Sequence, residues 1–131
     1  MKRRDTGRLG EKLAQDFLIK RGYRILETNY RSPEGEIDII ARHGEYLVFI
    51  EVRTKTSLSF GGPEESITLT KKARLIASAQ HYQQSHDNLP LLWHIDVVAV
   101  RLNQKGELSQ IDLIENAVNE IPESRQFYHP L

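Results

Sequence analysis

The stretch GEIDIIARHGEYLVFIEVR, residues 35–53, decides the fold of this chain. It holds two largely apolar segments, residues 36–42 and 45–54, and the His-Gly pair between them predicts two strands joined by a short hairpin connection. Strands this apolar are expected in the interior of a sheet. Each segment nevertheless contains an acid, Asp38 in the first and Glu51 in the second.

The relative position of the two acids depends on the register of the hairpin. If His43-Gly44 forms a two-residue loop, Asp38 and Glu51 are diagonal neighbours on one face of the sheet, with backbones roughly 7–8 Å apart. A shift of two residues places them directly opposite each other. A shift of one residue separates them, and it also disturbs the apolar pattern.

Acids within apolar strands are costly unless they are paired, hydrogen-bonded or bound to a metal. Mg²⁺ takes oxygen ligands, usually one or two carboxylates with waters and a substrate phosphate, and it can polarise a phosphodiester. Arg53 and Lys55 follow Glu51 on the same face, where either would contact a phosphate. Two alternatives remain open: Asp38 as a surface acid on a half-exposed strand, and Glu51 in a plain salt bridge with a neighbouring cation.

The rest of the pattern predicts a mixed α/β layer structure. Thr6 is the expected N-cap of the first helix and Gly22 its stop, and Thr68 or Thr70 caps the second helix. The inner face of the second helix is predicted to consist of Leu69, Ala73, Ile76, Ala77 and Gln80. The predicted elements are a helix at residues 6–21, strands at 23–30, 36–42 and 45–54, a helix to about 84, and strands at 93–102 and 108–114. We expect one domain over residues 1–131, with a core at about 6–117 and a tail at 118–131.

Further charged residues on the two helices are candidates for the same site. Glu11 borders the apolar face of the first helix, and packing of that helix on the sheet would bring it to the metal; a solvated Glu11 fits the pattern equally well. Lys71, Lys72 and Arg74 lie in the first turns of the second helix, where they oppose the helix dipole. With the helix N-terminus they would bind phosphate, and the alternative is a solvated charged face.

Composition limits the class of protein. The chain is 39% hydrophobic and 27% charged, as in folded soluble domains. It has no cysteine, which excludes disulfides and thiolate zinc sites and fits a reducing compartment, and no stretch is long and apolar enough to span a bilayer. We therefore expect a cytoplasmic protein without a membrane partner. The formal net charge is zero, but residues 1–31 carry a net +5 and residues 53–74 a net +3, which predicts a basic face.

The chain resembles the YraN family of small bacterial proteins, from about residue 6 to residue 117. The resemblance rests on several motifs together rather than on any one of them. They are Gly7-Arg8-Leu9-Gly10-Glu11, Gly35-Glu36-Ile37-Asp38-Ile39-Ile40, Val48-Phe49-Ile50-Glu51-Val52-Arg53, Phe60-Gly61 with Pro63-Glu64, Lys72 with Arg74-Leu75, Asp96-Val97-Val98 and Ile114-Glu115-Asn116-Ala117.

That family is similar to archaeal Holliday-junction resolvases and to the PD-(D/E)XK nuclease superfamily. The resemblance implies a restriction-endonuclease-like fold, a central mixed sheet flanked by helices in the order α-β-β-β-α-β-β. It also implies Mg²⁺ or Mn²⁺, DNA phosphodiester hydrolysis, and a metal site at Glu11, Asp38 and Glu51. The superfamily's lysine falls on Arg53, which stays protonated and cannot act as a general base, although it can hold a phosphate or orient water. Lys55 and Lys72 are the candidates to substitute for the lysine.

The resulting hypothesis is a metal-dependent endonuclease that acts on branched or damaged DNA. Asp38 and Glu51 would hold the metal, Glu11 would assist and Arg53 would contact phosphate. One alternative is a non-catalytic nucleic-acid-binding or adaptor domain that keeps the nuclease fold. Another is a protein-interaction module that uses the tail, with Phe127 and Tyr128. A two-fold symmetric junction substrate would suit a homodimer.

Overall fold

A computed structural model describes residues 3–56 and 67–118 of the chain. Seven elements follow one another in the predicted order. They are α1 (Arg3–Lys20), β1 (Arg24–Ser32), β2 (Gly35–His43), β3 (Tyr46–Thr56), α2 (Leu69–Ser85), β4 (Leu92–Leu102) and β5 (Leu108–Val118). The predicted tail at 118–131 lies outside the described residues except for Val118, which ends β5.

The strands form one mixed sheet in the order β1-β2-β3-β4-β5. All neighbouring strands are antiparallel except β3 and β4, which are parallel. Parallel neighbours cannot be joined by a hairpin and need a crossover, and α2 lies between them in the chain. This strand order is compatible with a restriction-endonuclease-like fold, so the predicted fold class is confirmed.

Each face of the sheet carries an apolar cluster, and each cluster belongs to one helix. Ala14 and Leu18 of α1 pack on the first face, and Leu75, Ala79 and Tyr82 of α2 pack on the second. The strands contribute alternate residues to the two clusters because successive side chains point to opposite faces. On β3, the first cluster takes Val48 and Ile50 and the second takes Leu47 and Phe49.

The hairpin register differs from the prediction that His43-Gly44 is the loop. His43 pairs with Tyr46, so the two loop residues are Gly44 and Glu45. Gly44 has φ +61°, and a positive φ at the first central position is typical of a type II′ hairpin turn, which favours glycine there. The register is therefore shifted by two residues, which is the alternative that brings Asp38 opposite Glu51.

The buried face of α2 also differs from the prediction. Leu69 is 82% exposed, and Ala73 and Gln80 are exposed as well. The helix is rotated so that a polar residue, Ser78, is buried, where its Oγ accepts a hydrogen bond from Ser32 Oγ at 3.1 Å. Of the two predicted N-caps of α2, Thr68 and Thr70, the structure confirms Thr68, whose side chain accepts a hydrogen bond from the Lys71 N–H at 3.1 Å.

Among the described residues, neither helix has the length and apolar character needed to cross a membrane.

Gly10 lets α1 approach β3 closely. A Cβ built at Gly10 would collide with the hydroxyl of Thr54 on β3, whereas a Cβ at Gly7 would meet nothing within 4 Å. The backbone of α1 therefore sits against β3 one residue before Glu11, and this approach fixes the height of Glu11 over the sheet.

We expect Gly10→Ala to lower the free energy of unfolding by about 1–3 kcal/mol, because the added methyl group overpacks the helix–sheet contact. Gly7→Ala is the matched control, and it should raise stability by about 0.5–1 kcal/mol because alanine is the better helix former. Urea unfolding of the two variants tests this. Equal stability of both would show that Gly10 is not needed for the contact.

Candidate metal and phosphate site

Strand β2 breaks its regular alternation at Asp38. Ile37 belongs to the α2 cluster and Ile39 to the α1 cluster, although residues two apart on a regular strand share a face. On β1, Asn29 lies between the partners of these two isoleucines and has φ +53°, a left-handed conformation that asparagine tolerates. The pairing of β1 with β2 keeps its register across Asn29, so no residue is inserted at this break.

The irregularity directs the Asp38 carboxylate between β2 and β3. The pairing of the two strands runs from His43 and Tyr46 to Ile39 and Ile50. Beyond that point the N–H of Val52 donates to Asp38 Oδ2 at 2.8 Å, in place of a strand-to-strand bond. The acid thus satisfies a backbone donor that the separating strands would leave unpaired.

Glu51 stands beside Asp38 on the neighbouring strand and faces α2. Its side chain is buried, and its Oε2 lies 3.5 Å from Lys71 Nζ of α2 and 3.7 Å from an Arg53 guanidinium nitrogen. Two cations therefore compensate one buried carboxylate, as buried charges require.

A pocket of about 300 Å³ opens where β3 meets the early turns of both helices. It is bounded by residues of four elements, among them the three predicted acids. The lining residues are Thr6, Gly7 and Glu11 of α1, Asp38 of β2, Glu51, Val52 and Thr54 of β3, and Lys71 of α2.

The acids of the pocket are close enough for the charge of one to raise the pKa of another. Burial, followed by the charge of Glu51, raises the pKa of Asp38 to about 7, against opposing effects of the Val52 N–H and of Lys71. Burial, followed by the charges of Asp38 and Glu36, also raises the pKa of Glu11, and a hydrogen bond with Asn29 opposes that shift. Within residues 3–56 and 67–118, no group of three or more acids or histidines stands close enough to hold a metal ion as arranged.

The structure brings some of the predicted site residues together and leaves others apart. Glu11, Asp38, Glu51 and Lys71 line the pocket, and Arg53 reaches it through Glu51. Three predicted phosphate contacts do not line it. Lys55 is half-buried further along β3, Lys72 is half-buried on α2, and Arg74 is exposed and lines a separate groove.

A further acid, Asp96, is buried in β4 away from the pocket. It pairs locally: its Oδ1 lies 2.6 Å from His94 Nδ1 and accepts a hydrogen bond from the Asn116 N–H at 2.8 Å. Its Oδ2 has no hydrogen-bond partner among the described residues. Burial raises the pKa of Asp96. The sequence signal for this pair is a histidine two residues before an acid in an apolar strand. The structural role of Asp96 is to link β4 to β5 through its hydrogen bond with the Asn116 N–H.

Residues 10–100 of the chain match the family described as Uncharacterised protein family UPF0102. The chain belongs to this family. UPF0102 is the YraN family, so the resemblance seen in the sequence is confirmed.

Three relatives of this UPF0102 protein align over nearly their whole length. A UPF0102 protein of Dehalococcoides mccartyi is 52% identical over 118 residues, which cover 90% of this chain and 96% of that protein. UPF0102 proteins of Caldicellulosiruptor saccharolyticus and Moorella thermoacetica are 44% and 45% identical over 117 residues, with 89% of this chain covered and 99% and 98% of those proteins.

We expect Asp38→Asn to remove one component of the pH dependence of stability in this UPF0102 protein. Because the pKa of Asp38 is raised from 3.8 to about 7 on folding, the folded state retains a proton that the unfolded chain releases. The stabilising contribution of this proton is complete below about pH 4, and it is lost as pH rises toward 7, by at most about 1.4 kcal/mol per pH unit.

Urea unfolding of wild type and variant at pH 4 to 8, without divalent cations, measures this difference. The variant should gain stability relative to wild type as pH rises. Asp87→Asn, at an exposed aspartate, is the matched control and should follow wild type. Parallel curves for all three proteins would contradict the raised pKa.

Proposed function

We propose that this protein is a Mg²⁺- or Mn²⁺-dependent endonuclease that hydrolyses phosphodiester bonds of DNA, with branched or damaged DNA as its substrate. One observation carries the proposal. The carboxylates of Asp38 and Glu51 meet in one pocket, so close that the charge of Glu51 helps to raise the pKa of Asp38 to about 7. A divalent cation between two such carboxylates would relieve their repulsion.

The donor set of the pocket fits a hard cation. Its acids offer only oxygen atoms, and Mg²⁺ typically takes one or two protein carboxylates and completes its shell with waters and substrate phosphate. Asp38 and Glu51 would be those ligands, and Glu11 would assist from α1 by accepting from a water. When bound, such an ion lowers the pKa of a coordinated water and offsets the negative charge that develops on the phosphate.

The surroundings of the carboxylates favour an anionic substrate. Lys71 and Arg53 approach Glu51 and supply positive charge where a phosphate would sit. Thr6 and Lys71 lie in the early turns of α1 and α2, so the N-terminal part of each helix borders the pocket, where the helix dipole favours anions. Arg53 stays protonated and therefore binds phosphate rather than removing a proton from water.

A second function, a non-catalytic DNA-binding or adaptor domain, is favoured by a different observation. Arg53 and Lys71 already compensate the charge of Glu51, at 3.7 and 3.5 Å, without a metal ion. A domain that only binds DNA could keep these cations for the phosphate backbone and use the acids to hold them in place.

The nuclease proposal predicts that Asp38→Asn abolishes Mn²⁺-dependent cleavage, with a loss of about 100-fold or more, because charge stabilisation at the phosphate is lost. A panel of single-stranded, duplex, flap and four-way DNA measures cleavage. Asp87→Asn is the control and should cleave as wild type does. Circular dichroism and DNA binding should stay unchanged in both variants.

Calorimetric titration with Mn²⁺ separates the two functions. Wild type should bind the ion and Asp38→Asn should bind it much more weakly. Cleavage by Asp38→Asn at the wild-type rate would reject the assignment of this residue. Absence of Mn²⁺ binding at millimolar concentration, together with intact DNA binding, would favour the adaptor.

A further inference from the structure

A second depression lies beside the carboxylate pocket. It has a volume of about 330 Å³, and residues 31–36 at the β1–β2 turn form one wall while Arg74 of α2 forms the other. The groove thus contains two guanidinium groups, those of Arg31 and Arg74, on exposed residues from different elements.

The groove and the pocket adjoin along α2. Lys71 lines the pocket and Arg74 lines the groove, three residues later on the same helix, which is about 4.5 Å along the helix axis. Residues three apart share a helix face. On the sheet side, Glu36 of the groove is near enough to Glu11 of the pocket for its charge to act on it.

The wall of the groove packs directly against α2. Ser32 Oγ donates to Ser78 Oγ at 3.1 Å, and a Cβ at Gly35 would stand 3.4 Å from the Cβ of Arg74. The backbone of the turn therefore packs directly on the helix that carries Arg74. This packing sets the positions of the backbone segments from which Arg31 and Arg74 extend.

The two arginines differ from the cations of the pocket in their partners. Lys71 and Arg53 pair with Glu51, whereas neither Arg31 nor Arg74 forms an ion pair within residues 3–56 and 67–118. An arginine without a carboxylate partner can present its planar donors to phosphate oxygens in bidentate fashion.

We propose that Arg31 and Arg74 form a subsite for the phosphate next to the scissile one. The substrate strand then runs from the carboxylate pocket, past Lys71, to the β1–β2 turn. The location of the scissile phosphate rests on the proposed function, but the contact of the two arginines with DNA does not require cleavage.

The groove also carries Glu34 and Glu36, which balance the two arginines in charge. It therefore recognises one phosphate through directed hydrogen bonds rather than through long-range attraction. The opposite charges of the acids and the arginines give a second test. Removal of an acid should strengthen DNA binding, whereas removal of an arginine should weaken it.

Fluorescence anisotropy of a labelled single-stranded oligonucleotide, measured in EDTA to prevent cleavage, tests the subsite. Arg74→Ala and Arg31→Ala should each weaken binding about tenfold and lower the slope of log affinity against log salt by about one. Glu34→Gln should tighten binding. Lys20→Ala, at the far end of α1, removes the same charge from an exposed site and should change affinity less than twofold.

Oligonucleotides with a single uncharged methylphosphonate linkage show whether the contact is direct. Wild type should lose affinity when one particular linkage is neutral, and Arg74→Ala should be indifferent to that linkage while it remains sensitive to others. The subsite would be overturned if Arg74→Ala and Lys20→Ala lost equal affinity for DNA. It would also be overturned if every neutral linkage that weakens binding by wild type weakened binding by Arg74→Ala as well. Absence of DNA binding by wild type would overturn it as well.

The outcomes separate this inference from the proposed function. If Asp38→Asn abolishes cleavage while Arg74→Ala binds DNA with unchanged affinity, the subsite is rejected and the nuclease proposal stands. A specific loss of binding in Arg74→Ala without any Mn²⁺-dependent cleavage by wild type would support the two arginine contacts and reject the nuclease.

Discussion

The hydrogen bond from the Val52 N–H to Asp38 Oδ2 marks the place where β2 and β3 stop pairing, and the candidate site depends on it. A regular antiparallel ladder would use that amide between strands and would leave no room for a side chain. Because the strands separate, a carboxylate enters the gap and takes over the backbone donor. Burial in the gap and the charge of Glu51 then raise the pKa of Asp38 to about 7.

The two helices complete the site from opposite faces of the sheet. The close approach of α1 at Gly10 brings Glu11 over β3, and the Thr68 cap starts α2 so that Lys71 reaches Glu51. Helix α1 adds the negative charge of Glu11 and α2 adds the positive charge of Lys71, and the N-terminal part of each helix borders the pocket. The arrangement concentrates acids at the centre and cations beside them, although the chain as a whole has no net charge.

Much of the fold follows from local pattern. The order of helices and strands was predicted correctly because period-two and helical periodicities are strong in this chain and glycine or proline separates the elements. The predicted buried face of α2 was wrong because Leu69 and Ala73 are apolar yet exposed. Ser78 is buried instead, and its hydroxyl has a hydrogen-bond partner in Ser32, 46 positions away in the chain. No local rule anticipates a hydrogen bond of that separation.

The sequence by itself determined which chemistry is available: two acids in apolar strands, the cations that follow them, and a family resemblance that the comparisons confirm. Only the tertiary structure decided which groups meet. A positive φ at Gly44 moved the hairpin register by two residues, and this shift set Asp38 beside Glu51. The packing of α2 placed Lys71 rather than Lys72 in the pocket. The rotation of α2 over the sheet depends on contacts between residues far apart in the chain, so a local sequence pattern does not determine it.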